Sequence, residues 1–138
     1  MSLAIRRAEL SEVSVVTSLI RELAEYEKLS HEVEATEAMI ADALFSKEPR
    51  LFCEIAEWNG EVAGFAVWFL NFSTFAGRFG IYLEDLFVRP QFRGNGIGKA
   101  LLAHLAKTCV ENGWARLQWR CWTGTSPRSP FTNRWAPS

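Results

Sequence analysis

Apolar residues recur at two different periods along the chain, and these periods predict its secondary structure. Residues 3–7 (LAIRR) predict a short first strand, and residues 51–58 alternate as a strand should. Beyond a candidate N-cap at Ser11, apolar residues recur every three or four positions, which predicts a helix over about residues 11–28. A second helix is predicted after Thr36 and ends before Pro49. The apolar stripes of the two helices are Val13, Val16, Leu19, Ile20, Leu23 and Tyr26 in the first, and Met39, Ile40, Ala43 and Leu44 in the second.

Three consecutive strands are predicted in the middle of the chain. Asn59-Gly60 is a strong hairpin signal, because a type I′ turn needs two positive φ angles. Gly77 and Gly80 mark a second turn, and Pro90 ends the third of these strands. The predicted strands beyond the first cover residues 51–58, 61–72, 81–88 and 115–119.

A glycine-rich loop over residues 93–98 precedes the last predicted helix, and Gly113 is a natural C′ residue for that helix. The apolar stripe of the helix is Ile97, Leu101, Leu102, Leu105 and Cys109. The predicted order is therefore β-α-α-β-β-β-α-β. Consecutive strands followed by a helical crossover predict an α/β domain with a mixed sheet.

Length and composition exclude several classes of protein. A chain of 138 residues fits one domain, and 49% hydrophobic with 22% charged residues is typical of a folded one. The net charge of -1 argues against a dedicated nucleic-acid binder, and no apolar run approaches the ~20 residues of a membrane helix. The N-terminus lacks the apolar stretch of a signal peptide, and three widely spaced cysteines form neither a disulfide framework nor a C-x-x-C metal site. A cytoplasmic setting is therefore expected.

The end of the chain has a different composition from the rest. Residues 1–111 carry 11 basic and 16 acidic side chains, whereas residues 112–138 carry four arginines and no carboxylate. Three of the five prolines and four of the six tryptophans also follow Glu111. A short basic tail of this kind can act as an interaction arm.

The glycine-rich loop is the main chemical signal in the sequence. Glycines let successive N–H groups face one point, and the following helix adds the positive end of its dipole, so the unit predicts a phosphate or pyrophosphate site. A Walker A loop fails, because it needs glycine at position 93 and serine or threonine at position 100, where the chain has Arg93 and Ala100. A dinucleotide fingerprint also fails. It needs the spacing Gly-x-Gly-x-x-Gly, whereas Gly94, Gly96 and Gly98 give Gly-x-Gly-x-Gly. A glycine-rich turn without a ligand is the alternative from the loop alone.

The spacing Arg-x-x-Gly-x-Gly, formed by Arg93, Gly96 and Gly98, resembles the coenzyme A pyrophosphate loop of the GNAT superfamily of N-acetyltransferases. Further segments are similar to the diamine (spermidine/spermine) acetyltransferase branch and its bacterial relatives. They are LIRELAEYE (19–27), VAGFAVWF (62–69) and YLEDLFV (82–88). The resemblance covers about residues 3–119. It implies an α/β (α+β) fold with a GNAT-like mixed, mostly antiparallel central sheet, flanked by helices and with splayed central strands.

The resemblance implies acetyl-CoA as the co-substrate and no metal. In this family the backbone of the strand before the loop holds the pantetheine arm, and the loop amides hold the pyrophosphate. The implied contacts are Leu86, Phe87 and Val88 for the arm, and Arg93, Gly94, Asn95, Gly96, Ile97, Gly98 and Lys99 for the pyrophosphate.

Glu84 matches the family carboxylate that accepts a proton, often through water, from the attacking amine. The residues give an independent reason, since Glu84 and Asp85 point to opposite faces of a central strand and at least one of them should be partly buried. The structural alternative is an ion pair with an arginine, such as Arg6 or Arg7. We favour the catalytic interpretation for Glu84 and the structural one for Asp85.

Tyr26 and Glu27 match the pair that contacts the polyamine in this branch. Without the resemblance, Tyr26 simply continues an apolar stripe and Glu27 is a solvated helix charge. His31 and His104 are isolated, which gives no metal cluster, and His104 is expected at the surface. The implied partners are a small-molecule amine and a second copy of the chain in a homodimer, with no nucleic acid and no membrane.

The sequence departs from the family after residue 119. The family continues into a motif that contains the tyrosine expected to protonate the departing thiolate, yet this chain has no tyrosine after Tyr82. Codons for residues 121–123, read two bases later, force Leu-Asp, and those for Trp135 and Ala136 force glycine, in the order of the missing motif. We therefore expect an incomplete acetyl-CoA-binding acetyltransferase domain over residues 1–119, with the C-terminal strands and helix altered or missing. An aberrant basic tail rich in proline and tryptophan, in a shifted frame, is expected over residues 120–138. The unshifted protein would be longer than 138 residues.

Two functions remain open from the sequence. The first is an N-acetyltransferase that moves the acetyl group of acetyl-CoA to a primary amine of a small polyamine or diamine by direct attack. The alternative, motivated by the missing tyrosine, is a non-catalytic acyl-CoA-binding module. Acetylation of protein amines is a third option. The acidic first half of the chain leans weakly toward a small cation instead.

Overall fold

A computed structural model describes residues 2–120 and 132–134 of the chain. Its strands lie in one six-stranded sheet in the order in which they occur along the chain. The strands are β1 (Leu3–Arg7), β2 (Phe52–Trp58), β3 (Glu61–Ser73), β4 (Arg78–Val88), β5 (Leu117–Arg120) and β6 (Thr132–Arg134). The α-helices are α1 (Val13–Tyr26), α2 (Glu37–Phe45) and α3 (Ile97–Asn112).

The sheet is mixed and mostly antiparallel, as predicted. Its one parallel pair among the described strands is β4 with β5, and this pair covers only three positions, from Ile81 opposite Leu117 to Leu83 opposite Trp119. Strand β4 runs on to Val88, so its last five residues lie beyond the final pair with β5. This agrees with central strands that separate at one end.

The two faces of the sheet carry separate cores. On one face α1 and α2 bury their apolar stripes against β2, β3 and β4. That core includes Val16, Leu19, Leu23, Ile40, Leu44, Ile55, Phe65 and Phe87. On the other face α3 packs across the sheet, with Ile97, Leu101, Leu105 and Cys109 against Ala66, Trp68, Ile81 and Leu83.

Several local predictions are confirmed. Asn59 and Gly60 have φ angles of 51° and 84°, so the β2–β3 turn uses the two positive φ values expected. The hydroxyl of Thr36 accepts the N–H of Met39 at 3.2 Å and caps α2. Gly113 has a φ of 69° and ends α3 in the left-handed region.

Three local predictions are wrong. Ser11 does not cap α1, because a 3-10 turn over Leu10–Glu12 precedes the helix and the Glu12 carboxylate accepts the Glu9 N–H at 2.9 Å. Met39 is 59% exposed, since the short α2 directs only Ile40 and Leu44 into the core. Gly80 lies within β4 rather than in a turn.

The reason for glycine at position 80 is a close backbone approach. A Cβ there would lie 2.7 Å from the carbonyl oxygen of Arg116, which crosses beside it.

Within the described part of the chain, no helix is long and apolar enough to cross a membrane.

Candidate functional site

The glycine-rich loop connects the end of β4 to α3 and leaves the start of that helix open. Gly94 and Gly96 have φ angles of 88° and 74°, which a residue with a Cβ rarely adopts. Gly96 is the N-cap of α3, and no side chain caps this end of the helix. The first-turn N–H groups of a 16-residue helix therefore face outward beside the positive end of its dipole. This arrangement fits a pyrophosphate.

The loop residues contribute in different ways. The Asn95 side chain donates to the carbonyl of Phe92 at 2.9 Å and so holds the loop together. The Ile97 side chain is buried in the core beneath α3, which leaves only its backbone N–H for a ligand. Gly98 packs close to Leu86 and Val88, since a Cβ on it would lie 3.6 Å and 3.8 Å from their methyl groups.

An apolar cleft of about 360 Å³ lies between the end of α1 and the end of β4. Six of its seven lining residues are candidate site residues from the sequence, and the other is Leu23. The lining residues are Leu23, Tyr26, Glu27, Leu86, Phe87, Val88 and Arg93. The strand, the helix end and the glycine loop thus meet in one place, although 60 positions separate Tyr26 from Leu86 in the chain.

Arg93 closes one side of this cleft. Its guanidinium lies 4.4 Å from the centre of the Tyr26 ring and 5.7 Å from that of Phe87. Its Nε donates to the carbonyl of Val88 at 3.0 Å. The side chain therefore spans from β4 to the end of α1.

A second pocket, of about 260 Å³, adjoins the cleft and shares Leu23 and Glu27 with it. Four carboxylates line this pocket among five other, apolar residues. They are Glu27, Glu32, Glu84 and Asp85, and the apolar members are Ile20, Leu23, Ala24, Leu29 and Val33. Such a lining favours a small cation with an aliphatic stem.

A β-bulge places Glu84 and Asp85 at this pocket together. Val67 pairs with Asp85, and Trp68 pairs with Leu83, so Glu84 is the extra residue of β4. The expected partial burial falls on Asp85, which is half-buried, whereas Glu84 is exposed. A bulge re-aims a side chain, which explains why strict alternation failed here.

Arg6 and Arg7, which the sequence suggested as partners of Glu84, form ion pairs with other carboxylates. Arg6 binds Glu12 at 2.6 Å and Glu57 at 2.9 Å. Arg7 binds Glu54 at 2.8 Å. Arg6 and Arg7, the arginines considered as examples of such a partner, therefore each have a different carboxylate partner.

Sequence reasoning missed three features of the site and of the elements that carry it. Glu32 joins the acidic pocket from a 3-10 turn that no periodic pattern marks. Arg89 forms two 3.0 Å hydrogen bonds to Glu22 and so ties the end of β4 to α1. His104, expected at the surface, is only 34% exposed and contacts the buried Glu54 at 3.2 Å. In the described residues no group of three or more His, Cys, Asp or Glu side chains is placed to hold a metal ion.

Comparison with known proteins gives a consistent result. The family model described as "Acetyltransferase (GNAT) family" matches residues 16–130. A thialysine N-epsilon-acetyltransferase from Bos taurus is 37% identical over 122 residues, which covers 83% of this chain and 71% of that protein. An L-ornithine N5-acetyltransferase from Arabidopsis thaliana is 28% identical over 160 residues and covers 83% and 70% of the two chains.

The fold also matches a solved structure. An integron cassette protein from the mobile metagenome of V. cholerae superposes with a TM-score of 0.69 at 30% sequence identity, over 89% of this chain and 77% of that one.

Proposed function

Because the chain belongs to the GNAT acetyltransferase family and is an N-acetyltransferase, we propose that it transfers the acetyl group of acetyl-CoA to a primary amine of a small diamine or polyamine. The observation that carries this proposal is the junction of two pockets. The apolar cleft leads to the glycine loop, and the acidic pocket joins it at Leu23 and Glu27.

The coenzyme is assigned to the apolar cleft and the loop. The backbone of Leu86, Phe87 and Val88 would hold the pantetheine arm along the end of β4, where β5 no longer pairs. The amides from Arg93 to Lys99 would hold the pyrophosphate at the start of α3. The uncapped helix end and two positive φ angles support this assignment.

The amine is assigned to the acidic pocket. Thialysine and L-ornithine are the substrates named for two relatives of this chain, and both are amines. Four carboxylates would attract a second cationic group of the acceptor, with Glu27 at the junction of the pockets and Tyr26 in the adjoining apolar cleft. This supports a diamine or polyamine over a monoamine.

Glu84 is assigned the proton transfer. An ammonium group has no free electron pair, so it must lose a proton before its nitrogen can attack the thioester carbon. The Glu84 carboxylate, directly or through a water, accepts that proton. The nitrogen would then attack the thioester carbon, and the carbon–sulfur bond would break with its electron pair going to sulfur. The second proton that the nitrogen loses as it becomes an amide would pass to the departing thiolate, directly or through water.

The test is an acetyl-transfer assay with acetyl-CoA and a panel of aliphatic diamines, polyamines, diamino acids and a matched monoamine. We expect turnover of the diamines, and a loss of about 10²–10⁴-fold in kcat for Glu84→Gln. Glu84→Asp should retain part of the activity. Glu61→Gln, a matched change at an exposed residue of β3, should retain all of it.

No transfer to any amine would overturn the proposal for this 138-residue form. Saturable binding of coenzyme A without turnover would point instead to a coenzyme A-binding module, the function that the absence of a tyrosine after Tyr82 favours. A monoamine acetylated as well as a diamine would remove the role assigned to the acidic pocket.

The proposal extends to assembly and setting. We assign the protein to the cytoplasm, which the free thiols of Cys53 and Cys109 support. A homodimer is supported by the exposed aromatic side chains at the end of the β3–β4 hairpin, Phe72, Phe75 and Phe79. Light scattering of the purified chain measures the mass directly.

A further inference from the structure

Glu54 is the only charged side chain that is buried among the described residues, with 3% of its surface exposed. It lies in the middle of β2, opposite Arg7 of β1 and Ala66 of β3. Ala66 itself is fully buried in the core that includes the apolar residues of α3. A buried carboxylate is costly unless its oxygens are satisfied by donors.

Three donors from three different elements satisfy this carboxylate. Oε2 accepts the indole N–H of Trp68 at 2.9 Å and the Nε–H of Arg7 at 2.8 Å. Oε1 lies 3.2 Å from Nε2 of His104 on α3. Glu54 thus joins the strands β1, β2 and β3 to helix α3.

The contact with His104 differs in kind from the rest of the α3 packing. The helix otherwise meets the sheet through an apolar stripe, and apolar burial is non-directional, so small shifts along the axis change it little. A hydrogen bond has a narrow range of distance and angle. His104 lies seven residues after the first residue of α3, about 10 Å along the axis at ~1.5 Å per residue.

We propose that Glu54 and His104 are positioning residues that hold α3, and with it the uncapped helix start, in register with the end of β4. The role rests on the proposed function, because it matters for catalysis only if that helix start holds the pyrophosphate. Neither residue lines the cleft or the acidic pocket, so neither is catalytic.

The test compares two variants of one position by calorimetric titration with coenzyme A. His104→Leu removes the polar contact and should weaken binding about tenfold, because displacements below 1 Å at a binding group are felt strongly. His104→Gln carries a nitrogen donor that can reach Glu54, and should bind within about twofold of the wild type. Glu57→Gln, a change on the same strand at a carboxylate paired with Arg6, is the control and should bind normally.

Amide hydrogen exchange gives a second readout that does not depend on the function. The first turn of α3 should exchange faster in His104→Leu than in His104→Gln. If the wild-type chain binds no coenzyme A, the proposed function fails, while the exchange comparison still tests the register. The positioning role would be overturned if His104→Leu bound coenzyme A and exchanged its amides as the wild type does. It would also be overturned if His104→Leu and His104→Gln lost the same affinity for coenzyme A.

Discussion

The Arg93 guanidinium lies over the ring of Tyr26, 4.4 Å from its centre, and so connects the loop after β4 to the last residue of α1. Tyr26 is 59% exposed, yet its ring is also 6.2 Å from that of Phe87. The contact explains why a large aromatic residue occupies an exposed helix end beside the cleft. A cation over an exposed ring is worth about 0.5–1 kcal/mol.

We therefore predict a measurable coupling between these two residues. The variants Arg93→Met, Tyr26→Leu and the double change are compared in urea unfolding. The double change should cost about 0.5–1 kcal/mol less than the sum of the single changes. Tyr26→Phe keeps the ring and should retain most of the coupling. Additive costs would show that the two side chains do not stabilise each other.

A second prediction concerns Lys28, which follows α1 with a φ of 60°. Its N–H binds the carbonyl of Glu25 at 3.0 Å, and the Leu29 N–H binds that of Ala24 at 2.7 Å, so the helix ends through a left-handed residue. A Cβ is strained in this conformation and glycine is not. Lys28→Gly should raise the free energy of unfolding by about 0.5–1 kcal/mol.

The control for this change is Lys47→Gly in the segment after α2. Among the described residues, only Lys28 and Asn59 have a positive φ without being glycine, so Lys47 offers no strain to relieve. Lys47→Gly should therefore leave stability unchanged or lower it. Equal effects of the two substitutions in thermal unfolding would refute the strain at Lys28.

The sequence predicts the elements of this fold better than its polar contacts. Asn59-Gly60 and Thr36 act through their own backbone, so local rules suffice to place the turn and the cap. The Glu84 bulge depends on how β3 and β4 pair, which no local pattern specifies. The buried Glu54 has donors 47, 14 and 50 positions away in the chain, so only the assembled sheet reveals them.

The candidate site divides in the same way. The glycine loop is indicated by its own motif spacing, and the contacts proposed at the end of β4, which is contiguous with it, follow from the resemblance to the family. Glu32 was missed as a lining residue, because it reaches the acidic pocket from a turn without periodic signal.

A third prediction concerns the dependence of stability on pH. Nη1 and Nη2 of the Arg6 guanidinium donate to the Glu12 carboxylate at 2.7 Å and 2.6 Å, and these hydrogen bonds hold the pKa of the Glu12 carboxyl below its usual range. A lowered pKa contributes stability that is present above the ordinary carboxyl pKa of about 4.3 and is lost as pH falls through the folded-state value. Both side chains are partly exposed, so we expect about 1 kcal/mol.

Glu12→Gln should therefore be less stable than the wild type at pH 7, and the difference should shrink steadily below about pH 4. Urea unfolding at pH 7 and at pH 3 measures both values. Glu34→Gln, an exposed residue outside this contact, is the control and should match the wild type at both pH values. A Glu12→Gln deficit that stays constant down to pH 3 would show that the carboxylate charge is not what stabilises.

The last prediction concerns the chain after residue 119, where acidic residues are absent and arginine, proline and tryptophan accumulate. We propose that this segment is read in a shifted frame, and sequencing the coding DNA from codon 115 onward tests it. The frame that starts two bases later should encode Leu-Asp-Trp-Asn and then Phe-Tyr without a stop. This would restore the tyrosine that the resemblance to the family implies as the general acid. The codons of residues 121–123 force only leucine and aspartate in that frame. The DNA could therefore encode other residues at the remaining positions, which makes the prediction refutable. A stop codon in that frame before the tyrosine would show that the tail is genuine, and the catalytic acid would then have to come from another residue.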